Sequence, residues 1–261
     1  MTVRLSDESS EDVRFITDKA NSFFAGVGAD KVWPAAERLC AYLEAAQLSP
    51  GVAVEVGAGC SMPGIILARR GWDVTLTDLP WILPLVAANV EVNYPGGGGD
   101  IGGGPAGGPA DGSGRRPAVA SLRWGCRLDA DALLRRPAAG ATRDARRPDL
   151  VYGADIAYFE EDHPALLETL AHLQGARCVL AIQHRQGCQL SFAAAARARG
   201  WAVAEATVEK TLYGYPVTQR FCCSRCSVLV LTRSAAAEVV AGLVRLERAH
   251  GRTGSGWVWC R

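Results

Sequence analysis

The run Val52-Ala-Val-Glu-Val-Gly-Ala-Gly59 constrains this chain more than any other segment. Its valines read as a short buried parallel strand, and its Gly-Ala-Gly end reads as a tight turn. Buried parallel strands need helices on both faces, so the rest of the chain should alternate strand and helix.

That alternation is visible. The segment Val32–Ala46 reads as a helix, with Pro34 suited to a first turn and Leu39, Tyr42 and Leu43 on one apolar face. Pro63–Arg70 reads as a helix closed by Gly71, Asp73–Asp78 as a strand and Trp81–Val92 as a helix. Further strands are expected at Val119–Trp124, Leu150–Ala154, Arg177–Ile182, Trp201–Val208 and Cys226–Thr232. Helices are expected at His163–Leu173, Cys188–Arg199 and Ala235–His250, with a docking tail at 251–261 and a short strand near Val13–Thr17. No helix pattern separates the last two strands, so they should pair antiparallel. The expected fold is therefore α/β: a Rossmann-like seven-strand sheet, mainly parallel, with an antiparallel final strand and helices on both faces.

Residues 95–118 interrupt the pattern with a Gly/Pro-rich stretch almost devoid of apolar side chains. We read it as a disordered surface insertion within one domain spanning 1–261, because the alternation resumes after it. The 261 residues and 49% hydrophobic content suit a single α/β domain. A formal net charge of +1 gives no reason to expect general nucleic-acid or membrane binding. The polar N-terminus lacks an apolar signal core, and no run is long enough to cross a membrane. Nine scattered cysteines read as reduced thiols of a cytosolic or nuclear protein. Cys222, Cys223 and Cys226 contain a CxxC spacing without a second ligand pair, so they are read as strand-start thiols and no metal is expected. The absence of a coiled-coil heptad makes a monomer the default.

The chemistry is expected at the carboxyl ends of the strands, where ligands bind in such sheets. Glu55, Gly57, Ala58 and Gly59 form a turn that lets backbone approach a ligand, and Asp78 ends the next strand, where a carboxylate can accept from ribose hydroxyls. A dinucleotide fingerprint would need a third glycine where Met62 stands, so the turn suits a nucleoside without a pyrophosphate. No Gly-Lys-Ser/Thr occurs, which excludes a P-loop. Alone, Asp78 would equally serve as a helix N-cap. The third constellation is Asp155-Ile-Ala-Tyr158 after the fourth of these strands. It lacks the two prolines with which base-methylating enzymes shape a site for an exocyclic amine. Asp155 could also cap the turn Ile156–Glu161, and Trp33, Trp124 and Tyr158, taken singly, are ordinary core residues.

The sequence resembles family 16 protein-lysine methyltransferases, the methyltransferase-like 21 subgroup, across roughly Val32 to Thr232. The matching pieces are VWPAA at 32–36, VEVGAGCSMPGI at 54–65, LTD at 76–78, Asn89-x-x-x-Asn93, LRWG at 122–125 and GADIAYFEED at 153–162. The resemblance implies a class I methyltransferase using S-adenosylmethionine. It implies that Trp33 borders the cofactor's methionine end, that Gly57, Ala58 and Gly59 make backbone contacts, and that Asp78 holds the ribose. Trp124 would pack beside adenine, Ala154 would line the cofactor cavity, and Asp155 and Tyr158 would face the substrate amine. The implied partner is a protein substrate such as a chaperone or translation factor. Transfer to another protein side chain or a small molecule, or a non-catalytic cofactor-binding role, are the alternatives. The loop Gly214–Arg220 stands where substrate-contacting loops occur in this fold.

Overall fold

The computed structural model describes residues 2–4, 12–16, 29, 31–95, 115–135, 147–206 and 226–233. The greater part of the expected insertion (96–114), the loop Gly214–Arg220, Cys222, Cys223, the expected helix Ala235–His250 and the tail 251–261 lie outside these residues.

Strands β1 (Thr2–Arg4) and β2 (Asp12–Arg14) pair antiparallel as a small separate sheet. The main sheet contains β3 (Val52–Val56), β4 (Asp73–Asp78), β5 (Ala118–Ser121), β6 (Leu150–Ala154), β7 (Arg177–Gln183), β8 (Trp201–Ala206) and β9 (Cys226–Arg233). Its order is β5-β4-β3-β6-β7-β9-β8. The first five of these neighbours run parallel, and β9 lies antiparallel to both β7 and β8. This is the Rossmann-like seven-strand sheet expected, with the chain reversing direction between β3 and β6 in the order, the place where such sheets open a crevice.

Alternate strand residues feed two cores. Ala53, Leu76, Leu150, Tyr152, Val179 and Val228 pack against α1 (Pro34–Ala45), α2 (Met62–Arg69) and α3 (Leu83–Asn93). Val54, Val56, Val151, Leu180, Ile182 and Leu229 pack against α4 (Arg127–Leu134), α5 (His163–Leu173) and α6 (Cys188–Ala198). Sheet residues buried on both sides explain why these strands read as continuous apolar runs. Helices α1, α2, α3 and α5 each carry a proline in the first turn, where its missing N–H has no intrahelical partner to lose.

Three local outcomes differ from expectation. Helix α4 was not anticipated: it buries only Ala130 and Leu133, too few for a periodic signal, and its first-turn Asp129 accepts from the Arg123 backbone and guanidinium at 2.9 Å. Strand β5 stops at Ser121, short of the expected Trp124. The Leu122 N–H still reaches Asp78 O at 2.9 Å, and a turn with Gly125 at φ 76° then carries Trp124 off the sheet. The expected strand near Val13–Thr17 ends at Arg14, and its continuation is held by side chains of α3. Asn93 accepts from Arg14 N–H at 3.0 Å and donates to Arg14 O at 2.6 Å, and Asn89 does the same at Ile16 at 2.6 and 3.2 Å. The two asparagines, one helical turn apart, thus imitate the edge of a neighbouring strand. Burying them is tolerated because each amide finds partners on both its donor and acceptor ends.

Candidate functional site

The parallel strands β3, β4, β5 and β6 end on one edge of the sheet, which brings together residues distant in sequence. At the end of β3 the chain turns through Gly57 (φ 68°) and Gly59 (φ 49°), a left-handed geometry costly for residues with a Cβ. Space forbids a side chain at Gly57 as well: a Cβ there would lie 2.6 Å from Ile156 Cγ2 and 3.6 Å from Trp124 Cζ2. The turn is laced to β4. Ala58 N–H donates to Thr77 O at 2.9 Å, and Gly59 N–H donates to the Asp78 carboxylate at 2.8 Å. Ser61 closes the turn, its N–H donating to Ala58 O at 2.6 Å and its hydroxyl to Gly59 O at 3.4 Å, so Ala58 and Gly59 offer a ligand chiefly the close approach of backbone.

Asp78 is half-buried and accepts one backbone N–H on each oxygen, from Gly59 and from Leu79, both at 2.8 Å. Burial pushes its pKa up, and the two N–H donors act against that. Each carboxylate oxygen has two lone pairs, so sugar hydroxyls can still be accepted. The half-buried Trp124 ring faces Gly57 from the end of β5, and Ala154 closes β6 beside Ala181 of β7.

Glu55 sits apart from this open edge. Its side chain is buried, its carboxyl lies against Gly64 at the start of α2, and the Tyr152 hydroxyl lies beside it. A Cβ on Gly64 would come within 2.3 Å of Glu55 Oε2 and 3.1 Å of the Tyr152 hydroxyl, so the glycine makes room for the pair. Burial raises the Glu55 pKa well above the carboxylate range, and nearby Asp78 adds to the rise. The geometry makes Glu55 a prop beneath the turn.

The second half of the site gathers around Asp155, which follows β6 with φ 57°. Its N–H donates to Ala181 O at 2.7 Å, which pins this left-handed residue to β7. Its carboxylate is 3% exposed and is held bidentately by Arg185, with Nη1–Oδ1 at 2.6 Å and Nη2–Oδ2 at 2.5 Å. Arg185 Nη2 also donates to Gln183 Oε1 at 2.9 Å. The guanidinium lies 5.0 Å from the Trp33 ring and 5.9 Å from the Tyr158 ring, within cation–π range of both. Trp33, at the N-cap of α1, also carries Lys31 Nζ at 4.0 Å. Tyr158 packs on the exposed Phe159 with centroids 4.5 Å apart. Burial raises the Tyr158 pKa, as do Asp162, Asp155 and Asp78, so its hydroxyl keeps its proton.

Arg185 therefore draws Asp155, Trp33 and Tyr158 together around one guanidinium, while the glycine turn carries Trp124 beside Gly57 and Asp78 on Gly59 N–H. Sequence reading missed Arg185. The available signal was position: a cation just past the carboxyl end of β7, on the same edge as every other site residue. It also missed Ile156, whose side chain covers both Gly57 and Gly153.

A family model described as lysine methyltransferase matches residues 14–101. Among curated proteins the chain is 37% identical over 152 residues to EEF1A lysine methyltransferase 3 of Mus musculus, covering 58% of this chain and 52% of the relative. It is 36% identical over 158 residues to protein N-lysine methyltransferase METTL21A of Danio rerio, covering 59% of each. The chain thus spans between half and three-fifths of the length of these relatives. A magnesium protoporphyrin IX methyltransferase of Synechocystis, solved with bound SAM, is 16% identical with a TM-score of 0.49, covering 83% of this chain and 93% of that one. The resemblance read from the motifs is thus met by a family model and by curated relatives, while the fold rests on the strand order itself.

Proposed function

We propose that this chain is an S-adenosylmethionine-dependent protein-lysine N-methyltransferase. The observation that carries the reading is the juxtaposition of two clusters on one sheet edge: a glycine turn tied to a half-buried acid, and an aromatic pair and a buried carboxylate gathered on Arg185.

The residues fit such a cofactor. Without a side chain at Gly57 the turn's backbone comes close to Ile156 and the Trp124 indole, and that half-buried indole offers a flat apolar face on which an adenine can pack. Asp78 retains acceptor capacity for a ribose while its own N–H bonds hold the turn in place. Trp33 and Ala154 flank the methionine end, and Glu55 supports the turn from behind. When bound, the cofactor would supply an electrophilic sulfonium methyl group.

The chain's own residues have the task of orientation and desolvation. A lysine amine has an ordinary pKa of about 10.4 and must be neutral to attack. Trp33 and Tyr158 provide apolar walls that exclude water and favour the neutral form. Asp155 accepts a hydrogen bond from the amine and aims its lone pair, and the Tyr158 hydroxyl supplies a second polar anchor. After transfer the nitrogen is positive and releases one proton to solvent. Alignment is the dominant contribution to rate, since well-oriented reactants gain large effective molarities. The curated relatives are named for EEF1A and for protein N-lysine methylation, which supports a protein acceptor.

The test is transfer of a tritiated methyl group from S-adenosylmethionine into lysate proteins by the purified chain, followed by acid hydrolysis and mass spectrometry of the labelled band. Methyl-lysine is the expected product. Methyl-histidine, methyl-arginine or a labelled small molecule would replace the acceptor, and cofactor binding without any labelled product would make the chain a binder.

A further inference from the structure

We infer that Arg185 is a positioning residue that keeps Asp155 electrically matched, so that the acceptor lysine enters the cage as a free amine rather than as an ammonium. The inference rests on the methyltransferase reading above and adds the residue that sets the protonation state of its substrate.

A buried carboxylate and two aromatic rings gathered around one cation is the chemistry that captures organic cations. Left alone, Asp155 would draw a lysine ammonium between Trp33 and Tyr158 and hold it protonated, with no lone pair to give. The structure answers that demand with the chain's own cation. Arg185 pairs with both carboxylate oxygens and sits against both rings, and a guanidinium does not titrate in the working range. Asp155 cannot turn away, because its N–H is held by Ala181 O and its Oδ1 lies 3.4 Å from Gln183 N. Arg185 is itself steadied by Gln183 Oε1. Its side chain is 33% exposed against 3% for Asp155, so the cation forms the outer layer of the pair and the carboxylate the floor.

The other charges around the cage come from several elements. Asp162 and Asp78 act on Tyr158, Lys31 lies over Trp33, and the Cys188 and Cys226 thiols lie near Arg185. His184, the preceding residue, is hydrogen-bonded at 2.6 Å to Ser227 Oγ, which donates in turn to Glu205. With Arg185 in place, Asp155 still has lone pairs to accept from an N–H but no unmatched charge to offer an ammonium.

The experiment compares the wild-type chain with Arg185→Gln, Arg185→Lys and the double variant Asp155→Asn/Arg185→Gln. The first readout is tritiated methyl incorporation into lysate protein between pH 6.5 and 10. A one-unit rise in the amine's apparent pKa costs about tenfold in rate at neutral pH and nothing well above that pKa. Arg185→Gln is therefore expected to lose about tenfold near pH 7 and to recover toward wild type at the alkaline end. Arg185→Lys should fall between the two. The double variant leaves no unmatched charge and should keep the wild-type shape of profile at a lower maximum. The second readout needs no turnover: tryptophan fluorescence titrated with tetramethylammonium chloride should saturate for Arg185→Gln and stay unchanged for wild type and the double variant. Parallel pH profiles for wild type and Arg185→Gln, or a double variant that behaves like Arg185→Gln, would overturn the inference, as would tetramethylammonium binding to wild type. If the wild type labels no lysine, the methyltransferase reading fails instead, and the tetramethylammonium titration still decides whether Arg185 closes the cage to cations.

Discussion

Replacing Glu55 by Gln should make the protein less sensitive to rising pH, the reverse of what removing a stabilising carboxylate does. Glu55 is 1% exposed and lies between Gly64 N–H and the Tyr152 hydroxyl. Burial is the main cause that raises its pKa, so the folded protein holds this proton well above pH 4.5 while the unfolded chain releases it near there. The folded state thus binds the extra proton, and stability must fall as pH rises from about 4.5 toward the folded pKa. One proton corresponds to about 1.4 kcal/mol for each pH unit in that window. For a domain of this size that is roughly 3–6 °C in thermal midpoint per pH unit. Glutamine keeps the shape, can accept from Gly64 N–H, can donate to the Tyr152 oxygen, and does not titrate. Thermal melts of the two proteins from pH 5 to 8 should therefore diverge, the variant gaining on the wild type as pH rises. A constant difference across that range, or a variant that loses ground with rising pH, would refute a protonated Glu55 propping the turn.

Gly57→Ala should lower the thermal midpoint through about 1–2 kcal/mol of left-handed strain plus displacement of Ile156, and weaken S-adenosylmethionine binding about tenfold in calorimetry. Asp78→Ala removes both the sugar acceptor and the tie to Gly59 N–H, so calorimetry should record a loss in cofactor affinity of about tenfold to a hundredfold. Asp155→Ala and Tyr158→Ala should each retain cofactor binding yet lose about a hundredfold in methyl transfer, because they orient the acceptor and not the donor. Either variant transferring at the wild-type rate would remove that residue from the site.

The backbone plan was largely legible. Val52–Val56, Asp73–Asp78, Leu150–Ala154 and His163–Leu173 were read to within a residue, because buried parallel strands and amphipathic helices leave contrasting apolar patterns. Helix α4 was not, since two buried side chains make no period. Trp124 was read as the end of a strand, but a glycine turn places it off the sheet. Asn89 and Asn93 carried part of the family resemblance, and the structure shows them binding an N-terminal edge.

The chain's own order of residues determined the alternation of strands and helices, the glycine turn after β3, and the acids that end β4 and follow β6. These are local matters, decided by which side chains a few consecutive residues can bury and which dihedrals a glycine allows. Only the tertiary structure decided which side chains meet. Asp155 and Arg185 face each other because β6 and β7 run parallel and end on one edge, with a whole crossover helix between them in sequence. Glu55 and Asp78 both belong to motifs at strand ends, yet one carboxyl points under α2 and the other toward the open edge. Spacing along a chain cannot express that difference, because it arises from packing between elements and from the dielectric each carboxyl finds there.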